Sequence, residues 1–348
     1  MAAAKWKKLF WFFCKIAIAA GIVGWLIRDP HEIAEGFRDF HYGWLPAALL
    51  VYFTHILVCS WRWLRLTRVQ GVKLSAAEAL SLTMQGIFFS LVIPGGAIGG
   101  DVVKMAVLSK RTPPGSRVEG AFTILMDRIV GMIALFALAL AILVPATPLL
   151  LKISIPEIPL DDRMRWVLIA GLAGLCIAGL GASCVIFFHR WIEKLPLLGR
   201  LMHWGDEMTH GMVSRMTAAT DCYVKRRGEL TMLTLVSVFG VHLMTVAAYG
   251  CLAAGLDRPG FTAFTLVTAV TIGNIVGLIP LFPGGIGGRD VATITILAAG
   301  GVAAGDAKAA QLIYTAMVLA FSLLGGVFFI FDPGRREIEA ALHEETER

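Results

Sequence analysis

The chain has 348 residues, of which 57% are hydrophobic and 16% charged, with a mean hydropathy of +0.73. These values exclude an ordinary soluble domain and identify an integral membrane protein. A net charge of +6 does not point to nucleic acid: the basic residues lie in short clusters between apolar runs, where membrane topology accounts for them, and no recognition helix or aromatic-basic platform is visible.

A spanning helix needs about 20 apolar residues. Residues 9–27 meet that length. Lys5, Lys7 and Lys8 precede them as in a signal peptide, but no small-residue cleavage site follows, so the segment reads as an uncleaved first helix. Residues 44–60 form the second helix, and Trp61-Arg62-Trp63 with Arg65 and Arg68 reads as its anchor at the inner interface. The run 76–93 ends in Pro94-Gly95-Gly96-Ala97-Ile98-Gly99-Gly100-Asp101, and a short apolar piece, 102–108, follows. Residues 120–144 span again, and 145–165, with Pro145, Pro148, Pro156 and Pro159, read as an extracytoplasmic loop. After the span 166–188 comes 189–228, whose mixed Trp, Leu and Arg content suits amphipathic helices on the inner membrane face. The span 230–254 and the run 261–282 lead to a second motif, Pro283-Gly284-Gly285-Ile286-Gly287-Gly288-Arg289-Asp290, then a short piece at 291–301 and a last span at 309–331.

Lysines and arginines fix the orientation. With both termini and the connections 61–73, 104–117 and 189–228 in the cytoplasm, the inner side holds 21 of them against seven outside. The expected architecture is therefore all-α, with six spanning helices, two broken-helix hairpins and both termini cytoplasmic. Residues 1–150 form one repeat of helix, helix, hairpin, helix, and residues 151–348 a second, inverted one. Freed backbone is tolerated at membrane depth only where protein or a water-filled cavity satisfies it, so paired breaks in inverted repeats mark a transport pathway. Re-entrant and fully spanning hairpins give the same sidedness; the short second arms favour the re-entrant form.

Candidate chemistry gathers at these breaks. The glycines Gly95, Gly96, Gly99, Gly100, Gly284, Gly285, Gly287 and Gly288 free backbone N–H groups at a helix start to face an anion. Asp101 and Asp290 each open a half-helix, where capping alone would also account for them. Lys104 lies one turn after Asp101. Asp127 and Arg128, inside the next span, point about 100° apart and must reach different segments. We expect Lys104 and Arg128 to meet a headgroup phosphate while Asp101 and Asp127 hold them in place when the site is empty; an ion-pair network that only fixes packing is the competing reading. In the second copy Thr293 stands where Lys104 does, the cation moves into the motif as Arg289, and Asn274 lies on the arm leading to it. The six cysteines show no C-x-x-C spacing and read as small buried thiols. There is no H-E-x-x-H, G-x-S-x-G or Walker loop, hence no expected cofactor or metal and no ATP site. Uphill movement would draw on a coupling ion or the membrane potential.

At Pro94 to Asp101 with Lys104, at Asp127-Arg128-Ile129-Val130-Gly131, and at Pro283 to Gly288, the sequence resembles the flippase-like family typified by the transmembrane region of lysylphosphatidylglycerol synthases. The resemblance covers about residues 10–330. It implies a multi-pass protein of the bacterial-type inner membrane, with lipid translocation ascribed to its better-known members. The soluble aminoacyl-transferring domain has no counterpart in the span read here, so synthase activity does not carry over. Arg289-Asp290 replaces a glutamate the family often places shortly after the second glycines. The expected function is a flippase or scramblase moving an anionic phospholipid or polyprenyl-phosphate-type lipid. A small-solute or ion-coupled carrier, and a membrane-embedded lipid-modifying enzyme or its subunit, are the alternatives.

Overall fold

The computed structural model describes residues 31, 37–38, 40–93, 97–111, 117–155, 159–194, 200, 204, 206–209, 211–279 and 285–332. The expected first helix, 9–27, lies outside these residues. The described elements are α-helices: α1 (Trp44–Val69), α2 (Ala76–Val92), α3 (Ala97–Arg111), α4 (Arg117–Leu150), α5 (Asp162–Phe187), α6 (Met212–Lys225), α7 (Arg227–Leu256), α8 (Ala263–Gly277), α9 (Gly288–Ala299) and α10 (Ala304–Ile330), with a four-residue helical turn at His189–Ile192. Among them α1, α4, α5, α7 and α10 are long and apolar enough to cross a membrane.

Local sequence sets the boundaries. Ser75 accepts from the Glu78 N–H while the Glu78 carboxylate takes the Ser75 N–H, a reciprocal cap that starts α2. Asp161 caps α5 through the Met164 N–H at 2.7 Å, and Thr262 caps α8 through the Thr265 N–H. Two expectations are corrected. Pro145 and Pro148 do not open a loop but lie inside α4, which runs on to Leu150. A proline removes one N–H and disturbs the turn before it, yet near the end of a membrane helix neighbouring groups can absorb that loss. Second, α1 extends past Ser60 to Val69, so Arg62 and Trp63 lie in a packed helix and are both buried, while Trp61 stays at the surface. The tryptophan-arginine pattern of an interface anchor and that of a buried ion-pair arm are the same in sequence.

At 1.5 Å per residue, α2 and α3 are about 25 and 22 Å long, and α8 and α9 about 22 and 18 Å, all short of the roughly 30 Å hydrocarbon core. α2 packs against α3, α1 and α10; α8 packs against α9, α7 and α4. α1 packs against α7, and α3 and α9 pack on the helices that follow them, α4 and α10. Tyr52, Tyr249 and Tyr314 meet where α1, α7 and α10 converge, with ring centroids 5.4 to 6.0 Å apart. α5 packs on α4 and α6 and turns Trp166, Val167, Leu175 and Val185 outward, as a lipid-facing helix does.

Within α7, Ser237–Leu243 form a π turn. Such turns open the i→i−4 ladder, and they recur at functional positions. Here Ser237 donates to the Leu233 carbonyl at 2.7 Å, and His55 Nδ1 on α1 lies 3.1 Å from the Val241 carbonyl. In the 189–228 region, α6 docks on protein rather than lying free: Ala219 and Tyr223 are buried with Leu66, Phe122 and Met126, and the Tyr223 hydroxyl donates to the Leu66 carbonyl. Trp191 and Trp204 remain exposed.

Candidate functional site

The first hairpin is closed by backbone contact. A methyl group at Gly100 would overlap the Gly86 carbonyl and the Ser90 hydroxyl, so α2 and α3 come together only because residue 100 has no side chain. α3 begins at Ala97, four residues earlier than expected. Asp101 is therefore not its cap; Gly99 and Gly100 already lie in the helix. Lys104, one turn on, runs its stem past Gly86 and brings Nζ 4.7 Å from the centroid of the Trp63 ring. Trp63 is fixed in turn, its Nε1 donating to Thr123 Oγ1 at 3.3 Å.

Around Lys104 the acids are spoken for. Arg128 grips Asp101 with two hydrogen bonds, Nε to Oδ2 at 2.7 Å and a terminal nitrogen to Oδ1 at 2.9 Å, tying α4 to α3. Its neighbour Asp127 takes the Arg62 Nε at 2.8 Å, tying α4 to α1. Consecutive residues on one helix thus engage two different segments, as their 100° offset requires. Arg62 also donates to Ser237 Oγ at 2.9 Å, which links the pair to the π turn of α7. The Arg62–Asp127 pair is enclosed, whereas the Arg128 side chain is 42% exposed. Lys104 is 9% exposed, and among the described residues its ammonium has no carboxylate within 4 Å and no hydrogen-bond partner; the Trp63 face is its contact.

The second hairpin is built alike and finished differently. The helix α9 is preceded by Gly285 and Gly287, whose φ values of 78° and 99° favour glycine, and Gly285 lies against Gly277 of α8. Asp290, 1% exposed, is surrounded by donors: the Gly287 N–H at 2.9 Å, Gln311 Nε2 at 2.7 Å, the Thr315 hydroxyl at 3.1 Å and two nitrogens of Arg289 at 3.1 and 3.2 Å. Arg289 is buried too, gives a further hydrogen bond to Thr315 at 3.3 Å, and stacks on Tyr314 at 5.1 Å. Neither aspartate is an N-cap: Asp101 lies inside α3, and Asp290 is the third residue of α9, where its carboxylate takes the N–H of Gly287, the N-cap residue, besides its other partners. Beside this cluster the Tyr249 hydroxyl and Gln311 Oε1 are buried without a partner among the described residues.

The structure brings Asp101, Lys104, Asp127 and Arg128 into one cluster, and Arg289 and Asp290 into another. Gly99, Gly100, Gly285, Gly287 and Gly288 are buried at the two bends. Asn274 is half-buried and makes no hydrogen bond among the described residues. Gly95, Gly96 and Gly284 lie outside those residues. Sequence reasoning missed Arg62, Trp63 and Ser237 in the first cluster, and Gln311, Thr315 and Tyr314 in the second. The one signal for Arg62 was an arginine between tryptophans; the neutral partners of Asp290, more than 20 residues further on, gave none. No group of three or more His, Cys, Asp and Glu side chains suited to a metal occurs among the described residues.

A family profile described as the lysylphosphatidylglycerol synthase TM region matches residues 12–326. Two curated relatives align over most of their lengths. A UPF0104 membrane protein of Pyrococcus horikoshii is 23% identical over 297 residues, 81% of this chain and 85% of the relative. A UPF0104 membrane protein of Methanothermobacter thermautotrophicus is 22% identical over 312 residues, 86% and 87% of the two chains.

Proposed function

The chain belongs to the family of the lysylphosphatidylglycerol synthase TM region, and from that premise we propose that it is an inner-membrane lipid transporter, a flippase or scramblase for a phosphate-bearing headgroup. The observation that carries this reading is Lys104: a cation in the interior of a membrane protein with no carboxylate of its own, set beside the partly exposed Arg128. Charges at membrane depth are expensive and persist where they serve a pathway. An anionic headgroup entering from the Arg128 side completes the ion balance that the protein leaves open, and Asp101 and Asp127 keep the two arginines extended until it arrives.

The inverted-repeat plan supports a moving carrier. The neighbours of α2 (α3, α1, α10) and of α8 (α9, α7, α4) correspond element for element when the two halves are exchanged. Both hairpins have arms too short to cross the hydrocarbon, which favours the re-entrant form with tips near the midplane. Both termini lie in the cytoplasm on the lysine and arginine balance.

The test is leaflet exchange in proteoliposomes containing fluorescent phosphatidylglycerol, with an outer-leaflet quencher. The purified protein is expected to expose the inner-leaflet dye faster than protein-free vesicles, and Arg128→Gln to slow that exchange with the protein still monodisperse. Exchange equal to the protein-free control contradicts the function.

A further inference from the structure

Resting on that reading, we infer that the site in the first hairpin is built for a headgroup with a single net negative charge, a phosphodiester, and discriminates against phosphomonoester dianions and zwitterions. The basis is a charge count within one connected cluster. Arg62, Lys104 and Arg128 face Asp101 and Asp127. Among the described residues, three cations against two carboxylates leave one positive charge, and the geometry assigns it to Lys104, since each arginine has a carboxylate at 2.7 to 2.8 Å. A separate group, Glu229 with Arg65 at 2.6 Å and Arg226 at 3.7 Å, shares no ion pair with this cluster.

The fixed count acts as a filter because Lys104 is buried, at 9% exposure, while Arg128 stands at the open edge of the cluster. Trp63, Gly86 and the α2–α3 backbone contact pack around the Lys104 stem, so a charge brought there is compensated by the cluster or by nothing. A phosphodiester monoanion brings the sum to zero. A phosphomonoester, whose second ionisation lies near pH 6, arrives mostly as a dianion at pH 8 and leaves an excess negative charge. A phosphoethanolamine headgroup carries its own ammonium and leaves Lys104 unmatched. The second hairpin offers no comparable vacancy, because Arg289 and Asp290 cancel each other.

The experiment measures leaflet exchange at pH 8 of tail-labelled phosphatidylglycerol, phosphatidic acid and phosphatidylethanolamine by the full-length protein in otherwise identical vesicles. Phosphatidylglycerol is expected to move at least about tenfold faster than the other two. Asp101→Asn raises the cluster to two positive charges and shifts preference toward phosphatidic acid. Lys104→Gln lowers it to zero without breaking an ion pair and abolishes the preference for phosphatidylglycerol over phosphatidylethanolamine, so the test stands if Asp101→Asn does not fold. Equal or faster movement of phosphatidic acid by the unmodified protein, or unchanged ratios in the folded variants, overturns the charge rule while the carrier reading stands. Movement of none of the three lipids, or uptake of water-soluble glycerophosphoglycerol without lipid exchange, overturns the carrier reading itself.

Discussion

The two hairpins share a glycine motif, a short helix after it and an aspartate bonded to the next long helix, yet they end in opposite chemical states. In the first, Asp101 faces a single exposed arginine from α4 and Lys104 is left over. In the second, Asp290 takes five hydrogen bonds and its arginine has the carboxylate, a threonine and a tyrosine face. Duplicated backbone geometry is therefore no guide to duplicated chemistry. The filled cluster fixes α9 against α10; the first leaves Lys104 without a carboxylate, which is where the proposed headgroup would bind.

That contrast can be broken most severely in the second hairpin. Asp290→Ala leaves Arg289 buried without its carboxylate, and removing one partner of such a pair costs about 3–5 kcal/mol; denaturant unfolding in mild detergent should show a loss of that size. Next comes Arg62→Met, which removes the hydrogen-bonded partner of the enclosed Asp127 carboxylate, with an expected loss of about 3 kcal/mol. Adding Asp127→Leu to Arg62→Met should recover most of it, because an apolar pair replaces a lone charge. Lys104→Met sharpens the comparison from the other side. It removes an unmatched cation and one cation–π contact, so stability should change by no more than about 1 kcal/mol while exchange of phosphatidylglycerol falls at least about tenfold.

The smallest effect is expected away from both hairpins. The Arg190 guanidinium, hydrogen-bonded to Asp221 at 2.6 and 2.8 Å, holds that carboxyl below the usual carboxylate range. A depressed carboxyl contributes stability above its unfolded value and loses it as pH falls through the folded one. Asp221→Asn should therefore lower the unfolding midpoint slightly at neutral pH and leave it unchanged in strong acid. Lipid exchange should be unaffected at neutral pH.

Much of the first cluster was legible in the sequence. Charged residues inside apolar runs announce themselves, and helical geometry alone separates Asp127 from Arg128. The glycine motifs marked both bends, and the spans were located by apolar length, although α1 and α4 run longer than their apolar cores because polar and proline residues stay helical when they are packed. What escaped was long-range and neutral. Arg62 carried the signature of an interface anchor, so its buried partner on α4 was invisible. Gln311 and Thr315 are ordinary residues on a helix face, and nothing local reveals that they saturate Asp290. The π turn at Ser237–Leu243 arises from an apolar stretch without proline, and periodicity does not distinguish it from regular helix.

The most direct measurement is a cryo-electron-microscopy map of the protein in nanodiscs containing phosphatidylglycerol. The account predicts headgroup density within hydrogen-bonding distance of Lys104 Nζ and on the exposed side of Arg128, with none at Arg289. Density at Arg289, or a first hairpin sealed by protein so that no headgroup reaches Lys104, would contradict it.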